Sequence, residues 1–555
     1  MKRSYLLALS ALLLCSGAAI AQDLGGGVSA VGSNFLRIGS GDQDNNVGGS
    51  TSKRYFEEIA NARIFFSNLS IGLRYEMDDP SEVGQSFQGL RRRWIAYKKD
   101  GLDVEAGHIT SLWGRGLSIN NFESRPLNYD AWLDGFNGKY EYRWTQQESE
   151  LRPSLGVKAM AGNVLFHDID TTKPDQSVSA RAVNTEFGLF SKKVVVGLSF
   201  VQAFTSIQQT VFTRTAYTNS EVNQPELYVS FLQGPVSGFF GFAEERSHLT
   251  EILGKDVAVD HRGKAMYGSL SYAGDDFGIT AEYKNYSYFV HSQNDPYADY
   301  FGKLPITSPP EVYKDFSYQS ITRTTHAVNF NDELGYQIEA DITAIPSYTI
   351  TLNASASSRH NSYSSKLDSN GEPLIAGSTD ILPKFDDNGF FPFWEYFAEV
   401  EHDFGDLSYV KMWFHRRSDV LAASGQTADR KRSSSVGLKM QYETTPSQSI
   451  LFALEHQWMF DSQRDENDHQ LTNELAFIQY SFNPIITFGF TFDFSTWYEA
   501  GRHIWPEAVV SYRIGGAHTL LLTYGAERGG LNCSGGVCRY VPAFNGLRVS
   551  LTSQL

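Results

Sequence analysis

Residues Ile486-Thr487-Phe488-Gly489-Phe490-Thr491-Phe492-Asp493-Phe494-Ser495 alternate, without a break, between an apolar side chain and a small or polar one. Successive side chains of a β-strand point to opposite faces, so this period of two is a strand with one apolar and one polar face. Working outward, Leu69, Ile71, Leu73 and Tyr75 alternate with Ser70, Gly72, Arg74 and Glu76. Phe277, Ile279, Ala281 and Tyr283 alternate with Gly278, Thr280, Glu282 and Lys284, and Val436, Leu438, Met440 and Tyr442 with Gly437, Lys439, Gln441 and Glu443. Helical spacing never competes over a comparable length.

Compact turn signals separate the strands at Ser67-Asn68, Lys99-Asp100-Gly101, Gln146 to Glu150, Ser191-Lys192-Lys193, Gln233-Gly234-Pro235 and Gly274-Asp275-Asp276. They continue at Ala344 to Ser347, Phe404-Gly405-Asp406, Thr445 to Gln448, Asn483-Pro484 and Gly515-Gly516-Ala517. Gly, Asn, Asp, Ser and Pro are the residues that tight hairpins require. The other connections are long: Ser111 to Phe136, Thr205 to Asn223, His291 to Leu334, Ser357 to Trp394 and Arg528 to Ala543. Short turns at one end and long loops at the other describe an all-β fold, a large transmembrane antiparallel β-barrel. Eleven turns join 22 strands; a first strand near Gly27 to Ile38 and a last one at Phe544 to Leu555 make about 24, with 22 or 26 as neighbouring counts.

The final strand supports this architecture. Leu547, Val549, Leu551 and Leu555 face one way and Arg548, Ser550, Thr552 and Gln554 the other, which resembles the C-terminal insertion signal read by bacterial barrel-insertion machinery. A soluble sandwich or propeller would also alternate. Against it stand the lack of a repeat at blade length, an unbroken series with no linker, and aromatics at strand ends. Trp94 and Tyr97, Tyr140 to Trp144, and Trp497 and Tyr498 are such aromatics.

Composition narrows the classes further. The 555-residue chain is 41% hydrophobic and 14% aromatic, with 48 Gly, 18 Pro and a formal net charge of −16. Spanning helices need roughly 20 consecutive apolar residues, and only the N-terminus comes near. The net negative charge argues against a nucleic-acid groove, which needs clustered Lys and Arg. Its mean hydropathy of −0.31 excludes helical membrane proteins only, because a barrel strand shows lipid every other residue.

Lys2 and Arg3, the apolar run Leu6 to Leu14 and the Ala19-Ile20-Ala21 site read as a secretory signal peptide over residues 1–21. A lipid anchor at Cys15 is the alternative, opposed by Leu14 where a small residue is wanted. Residues 22–555 then form one barrel domain. Alternation begins soon after the cleavage site, so no plug domain of the kind found in energy-coupled transporters is expected. Cys533 and Cys538 flank a Ser-Gly-Gly turn in an exported chain, which predicts a small disulfide-closed loop rather than a metal site.

A 24-stranded barrel is wide, and three loops have the length to narrow it: His291 to Leu334, Ser357 to Trp394, and Trp113 to Leu127. Charges on polar strand faces should line the lumen, because facing lipid would cost ~2–4 kcal/mol each at the midplane. These are Arg91, Arg93, Asp103 and Glu105, and Glu395, Glu399 and Glu401 opposite Lys411 and His415. They describe either a selectivity lining or a wall of cross-strand ion pairs. His108, Ser111 and Asn120 have the residue types of a hydrolase site without a defensible spacing, so no enzyme is expected. Asp42, Asp44 and Asn46 copy half of a calcium loop, but Lys53 stands where a bidentate Glu is needed, so no metal or other cofactor is expected.

Two stretches go beyond fold class. The run Tyr524-Gly525-Ala526-Glu527-Arg528-Gly529-Gly530-Leu531-Asn532-Cys533-Ser534-Gly535-Gly536-Val537-Cys538-Arg539-Tyr540-Val541-Pro542-Ala543-Phe544 resembles the C-terminal signature of a family of outer-membrane proteins of the Bacteroidota and their relatives. Gly114-Arg115-Gly116-Leu117, followed by Glu123, Arg125, Leu127, Asp130, Leu133, Asp134 and Gly135, resembles that family's internal motif. The resemblance implies an outer-membrane barrel with no established substrate and no catalytic residues. Arg115, Glu123, Arg125, Asp130 and Asp134 are expected to form a charge network at a constriction on an inward-folded loop. Two functions remain: a passive porin-like channel for small hydrophilic solutes, and a non-conducting surface scaffold or partner-binding barrel. The oligomeric state stays open.

Overall fold

Ten of the eleven compact turns join two neighbouring antiparallel strands; the eleventh, Gln146 to Glu150, lies outside the described residues. The protein is described here from a computed structural model, over residues 22–554 apart from 26, 46–48, 83–85, 145–150, 168–173, 212–213, 291–301, 368–372, 422–428, 463, 465–468, 500–501 and 535–536. Residues 1–21, expected to be a signal peptide, lie outside those residues.

The barrel strands are β1 (Val28–Asn45), β2 (Gly49–Phe66), β3 (Leu69–Asp78), β4 (Phe87–Lys99), β5 (Leu102–Ile109), β6 (Leu133–Arg143), β7 (Ser154–Phe166) and β8 (Gln176–Leu189). They continue as β9 (Val194–Val211), β10 (Arg214–Gln233), β11 (Val236–Ile252), β12 (Lys255–Ala273), β13 (Phe277–Ser287), β14 (Glu333–Ile342), β15 (Tyr348–Ser358) and β16 (Phe393–Asp403). The last eight are β17 (Tyr409–Leu421), β18 (Asp429–Thr445), β19 (Gln448–Asp461), β20 (Gln470–Phe482), β21 (Ile486–Glu499), β22 (Arg502–Ile514), β23 (His518–Glu527) and β24 (Phe544–Gln554). Strand β1 pairs with β24 from Ser33 opposite Gln554 to Gln43 opposite Phe544, which closes the barrel and leaves no free edge.

Local chemistry fixes the hairpins. At the β4–β5 turn Asp100 and Gly101 take φ of 49° and 83°, the left-handed pair whose twist matches the flanking strands. The stretch Ile486–Ser495 shows how the two faces divide. Phe488 and Phe490 point outward, 47% and 46% exposed, whereas Asp493 faces the interior and is 3% exposed. An apolar outside and a polar inside invert a soluble protein and suit a barrel surrounded by lipid.

Strand length differs around the wall. Strands β9 to β12 run 18, 20, 17 and 19 residues, whereas β5 has 8. Twenty residues at ~3.3 Å each, tilted ~40°, rise roughly 50 Å, well past a hydrocarbon layer of ~25–30 Å. The expected loop Thr205 to Asn223 is therefore corrected. Most of it is strand: the ladder runs on from Thr205 opposite Ser220 to Val211 opposite Arg214, and its Thr, Ser, Gln and Asn residues interrupt the apolar alternation that would have marked it. For the same reason β1 extends to Asn45, and Asp42 and Asp44 lie in a strand rather than a calcium-like loop.

Candidate functional site

The segment 110–132 leaves β5 and turns into the lumen. Short strands Ser111–Trp113 and Ile119–Asn121 pair with each other and hold Gly114-Arg115-Gly116 between them. All three residues are left-handed, with φ of 52°, 58° and 87°. Glycine is needed at Gly114 twice over: a Cβ there would lie 1.5 Å from a carboxylate oxygen of Glu226. At this point the loop has reached β10, five strands around the wall from β5. Ser118 donates to Glu226 of β10, while Gln224 Nε2 and the Tyr288 hydroxyl both donate to the Leu117 carbonyl at 2.7 and 2.9 Å. Leu117, Ile119 and Leu127 are fully buried.

The far end of this loop is held by charge. Arg125 meets Glu76 at 2.7 Å and also Glu57. Glu123 meets Arg74 at 2.8 Å and Arg92 at 3.6 Å, and Asp130 meets Arg91 at 3.3 Å and also Arg92. Arg37 joins Glu57 to Glu82 at 2.8 and 2.5 Å. Two neighbouring arginines can both face inward because of a bulge. Arg74 pairs with Arg92 but Tyr75 pairs with Leu90, so Arg91 is an extra residue in β4. Five arginines and five carboxylates are thus paired at low exposure, where removing one partner strands the other at a cost of about 3–5 kcal/mol.

A second segment, 302–332, crosses the lumen and binds the first. Asn120 donates from its backbone N–H to the Ile306 carbonyl at 2.8 Å and from Nδ2 to the Ser308 carbonyl at 2.9 Å. Thr307 returns a bond to the Ser118 carbonyl at 3.0 Å, and the Tyr129 hydroxyl reaches the Pro305 carbonyl at 2.7 Å. Leu304 and Ile306 pack with Val178, Ala180 and Val201 of the wall. Further on, the single helical turn α1 (Gln319–Thr322) aims its free N–H groups at the Glu455 carboxylate, at 3.3 and 2.8 Å. Arg323 pairs with Asp493. His326 stands between Asp419 at 2.9 Å and Glu333 at 3.3 Å, with Lys284 on Glu333 at 2.6 Å. Burial pushes the His326 imidazole down, but the Asp419 and Glu333 charges outweigh it and raise its pKa to about 9. At neutral pH it is a cation clamped between two carboxylates.

Over residues 1–555 the sequence matches the family described as "Family of unknown function (DUF6029)". The chain belongs to that family. No curated protein is similar to it in sequence. Among solved structures it is similar to the siderophore receptor PirA of Pseudomonas aeruginosa, with 8% identity, a TM-score of 0.42, and coverage of 95% of this chain and 80% of the receptor. The P pilus usher (PapC) translocation pore shows 10% identity and a TM-score of 0.42 over 95% and 99% of the two chains. The copper transporter OprC shows 10% identity and a TM-score of 0.41 over 97% and 81%. At such identities none of them assigns a role to a residue of this chain.

Four of the five expected constriction residues lie on the inward loop, but they bind the wall rather than one another. Glu123, Arg125 and Asp130 pair with strand residues, as above, and Arg115 lays its guanidinium over the Phe239 ring, 5.5 Å from the centroid. Asp134 departs from the expectation. It belongs to β6 and shares the outward face with Phe136 and Tyr140, where it meets Arg93 at 3.0 Å, the pair being 47% and 56% exposed. Arg93, expected inside, is turned outward by the same bulge that brings Arg91 in. The inward assignment of Glu395, Glu399 and Glu401 holds: Lys411 meets Glu401 at 2.6 Å and Glu399 at 3.9 Å, and His415 meets Glu395 at 3.0 Å.

His108 lies outward against Arg93, Ser111 takes the Asn121 side chain, and Asn120 faces the second loop, so these three are not brought together. Of the three long loops, Ser357 to Trp394 differs from expectation. Its carbonyls at Asp380 and Ile381 accept from Asn285 and Tyr283 on the outward side of β13, so this part drapes over the rim. Sequence reasoning missed Glu57, Glu76, Glu455 and His326. Asp493 carried a signal, being the one charge on the polar face of the stretch 486–495.

Proposed function

We propose that the protein is an outer-membrane channel that passes small hydrophilic solutes passively, with loops 110–132 and 302–332 narrowing its lumen. The observation that carries this reading is the pinning of loop 110–132 across a charge-lined interior, by Arg125 on Glu57 and Glu76 and by Gln224 and Tyr288 on Leu117. The apolar outward band supports the outer-membrane location, and the paired inner charges suit a wall bathed in water. Purified protein in a planar bilayer should give small, discrete conductance steps, and deleting residues 113–127 should enlarge them. Silence of both proteins, with heat-modifiable mobility intact, would overturn the channel reading.

One observation favours a non-conducting scaffold instead: Leu117, Ile119 and Ile306 are fully buried where the loops meet. That reading predicts the silent outcome. Cleavage after residue 21 and a Cys533–Cys538 disulfide belong to the same proposal. The backbone register sets Cys533 directly opposite Cys538 in the hairpin Gly530–Ser534 and Val537–Val541, which supports the bond. Intact mass before and after reduction tests both.

A further inference from the structure

The outward wall above the apolar band carries guanidinium groups that no carboxylate answers. On β17 the outward series Met412, Phe414 continues to Arg416, and on β18 the series Met440, Leu438, Val436 continues through Ser434 to Arg432 and Arg430. Arg416 lies opposite Ser434 and Arg432 opposite Ser418, which makes the two arginines diagonal neighbours on one face. Such neighbours lie ~7–8 Å apart at the backbone, close enough for both side chains to reach one anion. Among the described residues neither Arg416, Arg430 nor Arg432 forms an ion pair; Arg430 makes one side-chain hydrogen bond, to Asn388. Several outward cations elsewhere are answered by their neighbours, whereas Arg181, Arg262 and Lys264 stand without an ion pair among the described residues but line no such concavity. Arg93 pairs with Asp134, Arg246 with Glu244 and His248 with Asp260.

The three arginines line a concavity of about 620 Å³ on the outer surface, with Trp394, Trp458 and Phe460 among its other walls. Glu474, two residues along β20 from the lining residue Thr472, is taken by His456 at 2.6 Å. Guanidinium forks match phosphate oxygens bidentately, and tryptophan settles at the boundary between acyl chains and headgroups. A cluster of like charges at the top of a lipid-facing band leaves one occupant that satisfies both its charge and its neighbours. We propose that this concavity binds the phosphate of an outer-leaflet lipid headgroup, with Arg416 and Arg432 on the phosphate and Trp394 and Trp458 against the glycolipid body. The proposal rests on the membrane location given above and is independent of whether the lumen conducts.

The test is native mass spectrometry of the full chain in neutral detergent, titrated with diphosphorylated lipid A, with its dephosphorylated form, and with inorganic phosphate. Lipid A should be retained in preference to the other two, and R416Q/R432Q should weaken retention at least about tenfold, as expected when charge-assisted hydrogen bonds are lost. R416K/R432K should recover part of it, and R246Q should leave it unchanged. Equal retention of the dephosphorylated lipid, or no loss in R416Q/R432Q, would overturn the proposal, as would displacement of lipid A by inorganic phosphate alone. Heat-modifiable mobility reports folding, and the single variants R416Q and R432Q replace the double one if it fails to fold. Loss of lipid retention with conductance steps intact separates failure of this site from failure of the channel reading.

Discussion

The two loops inside the barrel are held by different physics. Loop 110–132 ends in side-chain ion pairs, with Arg125, Glu123 and Asp130 each placed on charges of β2, β3 and β4. Loop 302–332 is held along its length by wall side chains bonding its backbone, as Glu455 does at Gln319 and Ser320, and by the packing of Leu304 and Ile306. The first attachment depends on charge and ionic strength. The second adds packing and backbone bonding to its own ion pairs, Arg323 on Asp493, Lys314 on Glu339 and the titratable His326 between Asp419 and Glu333. The two inserts also bond to each other, through Asn120, Thr307 and Tyr129, so loosening one is felt at their junction.

The largest effect should come from removing either insert. Deletion of 113–127 should raise single-channel conductance several-fold, and deletion of 304–324 should do so from the other side; equal, unchanged steps in both would end the idea that these loops set the lumen's width. Next, R125A removes the cation that bridges Glu57 and Glu76 and leaves them to Arg37 and to Arg74 and Arg91, a cost of up to about 3 kcal/mol. Hydrogen exchange should speed up across 110–132 and, beyond the junction at 305–308, change much less across 302–332. The G114A variant should have a similar but smaller effect, about 1–2 kcal/mol for the left-handed backbone, with the displacement of Glu226 added.

The His326 latch works with a definite sign. Its pKa is raised to about 9 in the docked loop, against ~6.5 for a free imidazole. The stabilisation is full below about 6.5 and is lost as pH rises through about 9. Exchange in 302–332 should therefore quicken over that interval, and H326Q should abolish the dependence while leaving loop 110–132 alone. The smallest effect is that of salt. At about 1 M, where the Debye length is ~3 Å, loop 110–132 should loosen slightly more than loop 302–332, whose Arg323 and His326 pairs are more deeply buried than those of Arg125 and Arg91.

The wall was far more legible than what it encloses. Turn chemistry is local, so Asp100-Gly101 and Gly515-Gly516 marked hairpins without reference to any distant residue. The strand period is equally local, and it placed Glu395 and Glu401 correctly against His415 and Lys411. What failed involved either a broken period or a long-range partner. The bulge in β4 inverted Arg93, and the Thr-, Ser-, Gln- and Asn-rich ends of β9 and β10 passed for a loop. Nothing near Arg125 in sequence announces Glu57 or Glu76, which are brought to it only when the barrel closes. The Gly-Arg-Gly run was visible, but its reason, the Glu226 carboxylate pressed against Gly114, lies across the lumen.

The extra residue at Arg91 has a consequence for how such a wall can change over generations. From Phe87 to the bulge the even-numbered residues of β4, such as Leu90, face outward; beyond it, towards Lys99, the odd-numbered ones do, such as Arg93 and Ile95. Losing or gaining one codon at that point would exchange the surroundings of every residue on one side of the slip, moving a guanidinium from water to lipid or back with almost no change in composition. Insertions and deletions, rather than substitutions, are the mutations that can rewrite this lining in a single step.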